Sequence, residues 1–399
     1  MVNEKMRGLG AKRSAIRDLF EYGLKRKAEI GADKVFDFSL GNPSVPAPPE
    51  VNRELVRLIS EESPTALHGY TSAQGDLSVR RAVAEYLTRT HGFSVDEDCL
   101  YMTVGAAAAL TCTLHALTGE GEEVILLSPY FPEYRVFVEG TGATVVEVAC
   151  DSESFHPDIE AIRAAINERT AAIIVNSPNN PTGAVYSEAD IRALAEVLHL
   201  AEVRYGHPIY LIADEPYREL VYGGVSVPFI PKYYANTILC YSFSKSLSIP
   251  GERIGYVMVS REVENRLSVY QAIAGAGRML GYVCAPALLQ KMLPACLGLT
   301  SELAVYDENR RLLYSALTEY GYSVVSPDGA FYMFVRSPLD SASDFCEAAK
   351  KYELLLVPSD SFGCPSFVRI SYCVDTDMIK RALPAFRALA KEHGLVPKE

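Results

Sequence analysis

The sequence has nine cysteines but no C-x-x-C pair and no histidine companions at metal-ligand spacing. A zinc site or a redox dithiol is therefore not expected. The odd number and wide scatter of the thiols suit reduced, mostly buried cysteines in a cytoplasmic protein. Positive charge is in deficit too: 38 Lys and Arg stand against 50 Asp and Glu, a formal charge of −12. That balance repels phosphate backbones and anionic lipid surfaces, so neither nucleic acid nor a membrane is an expected partner. No membrane-length apolar run occurs. The longest candidate, Tyr101 to Leu117, is rich in Ala and Thr, holds His115 and starts at a glycine turn, so it reads as a buried helix. Residues 1–34 lack the apolar core and small-residue cleavage site of a secretory signal. No internal repeat and no low-complexity tract is found.

What the chain does have is length and apolar content. Its 399 residues, 49% apolar and 22% charged, can bury a sizeable core and exceed what one core usually serves. Residues 14–30 place Ile16, Leu19, Phe20 and Leu24 at helical spacing, with Lys25, Arg26 and Lys27 off that face. The next segment, FDFSLGNPSVPAPPE at 36–50, holds four prolines and can be neither helix nor central strand. Apolar runs then alternate with helical ones, at 123–127, 144–149, 171–176, 209–214, 237–242 and 254–260. Runs apolar on both faces and separated by helices predict a mostly parallel sheet covered on both sides, a three-layer α/β/α domain. Ligands of such sheets bind beyond the carboxyl ends of the strands, where these runs meet their motifs. From about residue 295 the pattern becomes a helix at 308–321 followed by strands at 331–336, 354–358 and 367–373, as in a smaller α+β domain. The expected division is 50–290 for the large domain, with 1–49 joining 291–399 in the small one. Lys391 and Lys398 read as solvated tail residues.

The richest stretch is Ser242-Phe243-Ser244-Lys245-Ser246, continuing through Gly251, Arg253 and Gly255, at the end of an apolar strand. It offers an amine nucleophile, hydroxyl donors and a permanent cation together, although a strand-end lysine alone is ordinarily a solvated surface residue. Two further motifs change that weighting: Asn180-Pro181-Thr182-Gly183 after one strand, and Asp214-Glu215-Pro216-Tyr217 after another. In this order the three motifs resemble those of the class I/II aminotransferases, pyridoxal-phosphate enzymes of fold type I. The resemblance runs from Leu40-Gly41-Asn42-Pro43 to Arg369-Ile370-Ser371, nearly the whole chain.

The resemblance implies a role for each of these residues. Lys245 would form the Schiff base with pyridoxal 5′-phosphate and later shuttle the substrate proton. Asp214 would face the pyridine nitrogen and keep it protonated; its plainer reading is a helix cap. Tyr217 and Asn180 would hydrogen-bond the phenolic oxygen, although Asn180 before a proline also suits a turn. The phosphate would sit on the helix start at Gly105, Ala106 and Ala107, with Ser242, Ser244 and Arg253 closing the cup. Relatives carry hydroxyl or longer polar side chains in that glycine turn, so here the backbone contacts remain and a side-chain contact is lost. Phe131 would stack on the ring, with Tyr130 beside it as the competing choice. Tyr70, otherwise a surface aromatic, would reach the phosphate of a neighbouring subunit in a homodimer with shared active sites. Arg369, unless it forms an internal salt bridge, would grip the substrate carboxylate with its planar fork, completed by the Gly41 backbone.

Such a site implies transfer of an amino group from an α-amino acid, aspartate first among donors, to a 2-oxo acid by a ping-pong Schiff-base mechanism. The alternative is a carbon–sulfur lyase or an enzyme like aminocyclopropane-carboxylate synthase, since the same cofactor serves several reactions. A cofactor-sensing transcription regulator is disfavoured, because the 40 residues ahead of Gly41 are too few for a winged-helix domain. Aspartate needs a second cation for its distal carboxylate. Arg278 is the candidate, with a surface arginine on a helix as the competing reading.

Overall fold

The computed structural model of the protein describes residues 1–11 and 15–395. Ser14, where the first expected helix was to begin, and Lys398 lie outside the described residues. Seven strands form the central sheet in the spatial order Leu100–Thr103, Gly255–Val259, Thr237–Ser242, Tyr210–Asp214, Thr170–Asn176, Glu123–Ser128 and Thr144–Ala149. All neighbours run parallel except Gly255–Val259, which is antiparallel to the strands on both its sides. Strict alternation of side chains across the pleat divides each run between two cores. Val124 and Leu126 pack toward the helices Ala106–Leu117 and Arg266–Leu280, whereas Ile125 and Leu127 pack toward Ile159–Ala165 and Glu188–Tyr205. Both faces are thus dry, and the all-apolar runs follow from that.

The second sheet is small and antiparallel, ordered Val357–Pro358, Phe367–Ser371, Tyr332–Arg336, with Arg369 opposite Phe334. It shares one core with the helices Leu303–Glu319 and Thr376–Glu392 and with Phe38 and Val45 from the proline-rich connector. Tyr217 and Leu220, from the loop after Asp214, enter the same core. That loop therefore joins the two sheets through packing. No helix among the described residues is long and apolar enough to cross a membrane.

Several expectations need correction. The stretch from Tyr101 to Leu117 is not one helix: Leu100–Thr103 is a strand, and the helix begins at Ala106, after Gly105 turns the chain at φ +83°. The run at 144–149 forms an edge strand in which only Val148 is buried. The run at 354–358 breaks in two, with Leu354–Leu355 pairing in parallel to Phe36–Asp37 and Val357–Pro358 joining the small sheet. The connector thus begins as a strand, and it ends in the helix Pro49–Glu61. The helix expected at 308–321 starts earlier, at Leu303, and the helix Ala15–Ile30 leaves Leu24 52% exposed. Off its apolar face, Arg26 pairs with Glu353 and Lys27 with Asp37, tying the helix to the connector and the small sheet's neighbour. An additional helix, Glu4–Ala11, precedes it without a buried residue, which is why no apolar pattern announced it.

Gly183 closes the turn of the Asn180-Pro181-Thr182-Gly183 motif at φ +75°, and its carbonyl accepts hydrogen bonds from the backbone of Asp328 and Gly329. A Cβ at this position would lie 2.3 Å from Cβ of Pro327. Gly183→Ala should therefore cost at least about 2 kcal/mol through both strain and collision. Urea unfolding of the variant checks this, with a lowered midpoint at unchanged slope as the expected outcome.

Candidate active site

The carboxyl ends of three parallel strands, Asn176, Asp214 and Ser242, open into a cavity of about 300 Å³. Chain geometry places them there: a parallel sheet points its strand ends, and hence its strand-to-helix loops, the same way. Lys245 stands in the short helix Phe243–Ser246, whose first turn is capped by Ser242 accepting from the Ser244 backbone. The Lys245 amine donates to the Gly41 carbonyl at 2.7 Å, and it lies over the rings of Phe331 and Tyr217. Burial, reinforced by Arg253 and Arg369, brings its pKa down to about 8, with the Cys373 thiol opposing. The lysine is therefore no solvated surface residue.

Asp214 is 5% exposed. Its Oδ2 accepts a hydrogen bond from the Tyr134 hydroxyl and its Oδ1 has no partner. Burial raises its pKa to about 7, helped by Glu215 and opposed by the Tyr134 bond. An unpartnered carboxyl oxygen at the end of an apolar strand is costly to bury, so the site is built for a donor that meets it. Asp214 caps no helix in this fold; the cavity is where its free oxygen belongs.

Arg369 is 2% exposed and has no acidic partner among the described residues. Its two terminal nitrogens donate to Asn180 Oδ1 at 3.1 Å and to the Ser39 carbonyl at 2.7 Å, while Nε has no partner. Stacking over Tyr332 and Phe362 holds its plane, and burial lowers its pKa. The internal salt bridge is thus absent. Asn180 also closes a turn, its backbone donating to Asn176 Oδ1 at 2.8 Å, so its two readings coexist. With its oxygen taken by Arg369, its amide nitrogen is the group left for a ligand. The Tyr217 hydroxyl meets that of Tyr332 at 3.0 Å.

At the other end of the cavity, Ser242 and Ser244 hydroxyls lie 2.7 Å apart. Ala106 and Ala107 begin the helix there, and Arg253, in the left-handed region at φ +53°, reaches across it. A Cβ on Gly105 would lie 2.7 Å from the Arg253 guanidinium. A Cβ on Gly255 would lie 2.3 Å from the Tyr241 carbonyl and 3.2 Å from Gly105 Cα. Bare backbone is thus required where helix start, arginine and strand converge, as an anion cradle demands. Phe131, half-buried against Tyr134, faces the cavity; Tyr130 does not line it and instead donates to Glu147.

Two expected residues lie elsewhere. Tyr70 is 99% exposed and Arg278 is exposed on the helix Arg266–Leu280, neither lining the cavity of its own chain. Three polar lining residues carried no expectation. Asn176 donates from its amide to the Asp214 carbonyl at 2.9 Å; its signal was a polar residue ending an apolar strand, the same that marked Asp214. Tyr134 lies in the first turn of the helix Glu133–Thr141 and meets Phe131, just ahead of that helix, edge to face at 5.7 Å between ring centroids. Tyr332 gave no signal distinct from a core aromatic.

Residues 33–386 match the family model described as aminotransferase class I and II. The aspartate/prephenate aminotransferase of Thermus thermophilus is 32% identical over 395 residues, covering 96% of this chain and 98% of that protein. The aspartate aminotransferase of Bacillus subtilis is 28% identical, covering 92% of this chain and 94% of its own. Among solved structures, an aminotransferase from Eubacterium rectale superposes with a TM-score of 0.97 at 54% identity, covering 98% of this chain and 99% of that one. The Thermus thermophilus aspartate aminotransferase solved with maleate gives 0.85 at 28% identity, covering 98% and 100%.

A lysine whose amine is brought down to about 8 should react more readily near neutrality than an ordinary lysine. In ligand-free protein, labelling of Lys245 by a simple aldehyde and reductant should rise between about pH 7 and 9, because only the neutral amine condenses. Peptide mapping checks this; a rise postponed toward the ordinary lysine range, about 10.4, would contradict the assigned environment.

Proposed function

Since the chain belongs to the aminotransferase class I and II family and is a transaminase, we propose that its cavity holds pyridoxal 5′-phosphate and moves the amino group of an α-amino acid, aspartate first, to a 2-oxo acid. Members of this family depend on that cofactor. The observation that carries the proposal is the convergence on one cavity of a desolvated lysine, an unpartnered carboxyl oxygen and an arginine without an acidic partner. The free Asp214 Oδ1 would accept from a protonated ring nitrogen, and the bare cradle at Gly105 beside Arg253 suits a phosphate. The residues present therefore fit the group.

The cofactor supplies an aldehyde for condensation with amines and a ring that accepts the electron pair left when substrate Cα loses its proton. Lys245 would hold the aldehyde end, and its freed Nζ would carry the substrate Cα proton. Asp214 would keep a proton on the ring nitrogen, with Tyr134 holding its carboxyl and Asn176 its backbone carbonyl. Tyr217 and the Asn180 amide would donate to the phenolic oxygen. Phe131 would pack on the ring face. Ser242, Ser244, Arg253 and the backbone N–H groups at Ala106 and Ala107 would bind the phosphate. Arg369 would grip the substrate carboxylate beside the Gly41 backbone, and closure of the site would exclude water.

The reading extends to assembly. Fully exposed Tyr70, together with Leu267 and Met279 exposed at 65% and 67% on the helix that carries Arg278, supports a homodimer in which each copy completes its partner's site. We take residues 50–290 as the cofactor-binding domain and 1–49 with 291–399 as the smaller one. Nine unpaired cysteines, six of them buried, suit a reducing cytoplasm.

The decisive experiment adds single amino acids, without oxo acid, to the cofactor-loaded protein. Bleaching of its visible absorbance, strongest with aspartate, is expected; sulfide or ammonia release would favour the lyase chemistry instead. Lys245→Ala should abolish turnover. Arg369→Gln should raise KM for every amino donor by roughly 10- to 100-fold, the loss of charge-assisted hydrogen bonds. Arg278→Ala should raise KM for aspartate and glutamate and spare neutral donors, and an unchanged preference would remove it from the distal-carboxylate role.

A further inference from the structure

Behind the catalytic loop lies a second polar cluster that the reaction does not use. Glu215, beside Asp214, is 1% exposed and binds the Arg218 Nε at 2.5 Å through Oε2. Arg218 is fixed further by the carbonyls of Val227 and Pro228, at 3.1 and 2.9 Å. Four residues after Glu215, Glu219 accepts from the Tyr241 hydroxyl at 2.9 Å through Oε1. The remaining oxygens, Glu215 Oε1 and Glu219 Oε2, are buried without a partner. Both residues border an enclosed cavity of about 20 Å³, room for a single water that could donate to each.

The cluster reaches Lys245 by a directed path. Because Tyr241 gives its only proton to Glu219, its oxygen must accept from the Ser246 hydroxyl, 3.0 Å away. The Ser246 carbonyl in turn accepts from the Ser301 backbone at 2.8 Å. Ser246 is the neighbour of Lys245 in a helix only four residues long, which has too few bonds of its own to fix a side chain. We propose that the relay Ser246 to Tyr241 to Glu219 positions the Lys245 turn, making Tyr241 and Glu219 positioning residues for the transamination. The inference rests on Lys245 being the cofactor lysine.

The charge count supports a role beyond packing. Two carboxyls face one guanidinium, so the cluster either keeps a proton or buries a net negative charge, and burial raises the pKa of both carboxyls. The other titratable groups around the cavity are Tyr86 and His91 from the helix Leu77–His91, Tyr256 from the sheet and the Cys296 thiol at the end of the helix Ala287–Cys296. His91, stacked on Phe229, is held neutral, its pKa pushed down to about 4 by burial and Arg218. None of these supplies a second cation near neutrality.

The test uses the cofactor-loaded enzyme. Tyr241→Phe removes one oxygen from the relay, and Glu219→Ala removes its acceptor. Each should lower kcat about tenfold with donor KM unchanged, the signature of a misplaced reactive group. Glu219→Gln keeps an amide oxygen for Tyr241 and turns an N–H toward the cavity that Glu215 also borders, so it should restore kcat to within about twofold of the parent. The pH profile of its kcat should lose any limb that belongs to the retained proton. Wild-type kcat in Tyr241→Phe, or equal losses in the Gln and Ala variants, would overturn the proposal. Should Glu219→Ala not fold, Tyr241→Phe decides alone. Borohydride reduction of the cofactor-loaded parent followed by peptide mapping serves as the separate control: cofactor fixed anywhere but on Lys245 would refute the lysine assignment itself, whatever the relay does.

Discussion

Three basic side chains, Lys245, Arg253 and Arg369, border one cavity together with a single carboxyl group that itself resists ionising. Like charges in a poorly hydrated space repel, and the protein alone does not neutralise them. The rest of the architecture holds this imbalance in place until an anion relieves it. Lys245 yields first, because an amine can shed its proton and a guanidinium cannot. A phosphate near Arg253 and a carboxylate near Arg369 would each lift the lysine pKa again, so occupancy and lysine protonation are coupled by geometry alone.

Holding such a site requires stiffness on both sides. On one, parallel strands buried on both faces deliver Asn176, Asp214 and Ser242 to the same edge. On the other, an antiparallel sheet carries Arg369, and the connector crosses between them with Ser39 and Gly41 carbonyls offered to the two cations. The contact is aromatic as well as polar: Tyr217 comes from the large sheet's loop and Tyr332 from the small sheet, and they meet both ring against ring and hydroxyl to hydroxyl. Movement of one sheet relative to the other thus necessarily passes through the cavity.

Much of this was legible in the residues. Strand runs that are apolar on both faces carry their own topology, and a lone Asp or Ser ending such a run marks the ligand edge. The edge strand Thr144–Ala149 misled because its valines alternate with polar residues only weakly. The strand Leu100–Thr103 was hidden because its apolar residues run without a break into the helix, and only the positive φ of Gly105 divides them. Tyr134 and Tyr332 were missed for a different reason. A tyrosine that supports a functional group and one that fills a core have the same local pattern, and only the partner of the hydroxyl tells them apart. Residues that act across a subunit boundary, as proposed for Tyr70 and Arg278, are read only as exposed within one chain.

The convergence of Gly105, Arg253 and Gly255 bears on how this sequence can change. Gly105 is constrained by its left-handed φ of +83° with the Arg253 guanidinium lying against it, and Gly255 is hemmed in by backbone on two sides. Enlarging one is not rescued by altering the other, since the obstructing atoms belong to the main chain or to the arginine itself. The three positions therefore form a block without a neutral single-step exit, whereas Ala107, on the exposed side of the same turn, is open to substitution. Side chains of other shapes can enter this end of the cavity at Ala107 while its backbone N–H stays in the cradle, whether they come by natural drift or from a mutagenesis library.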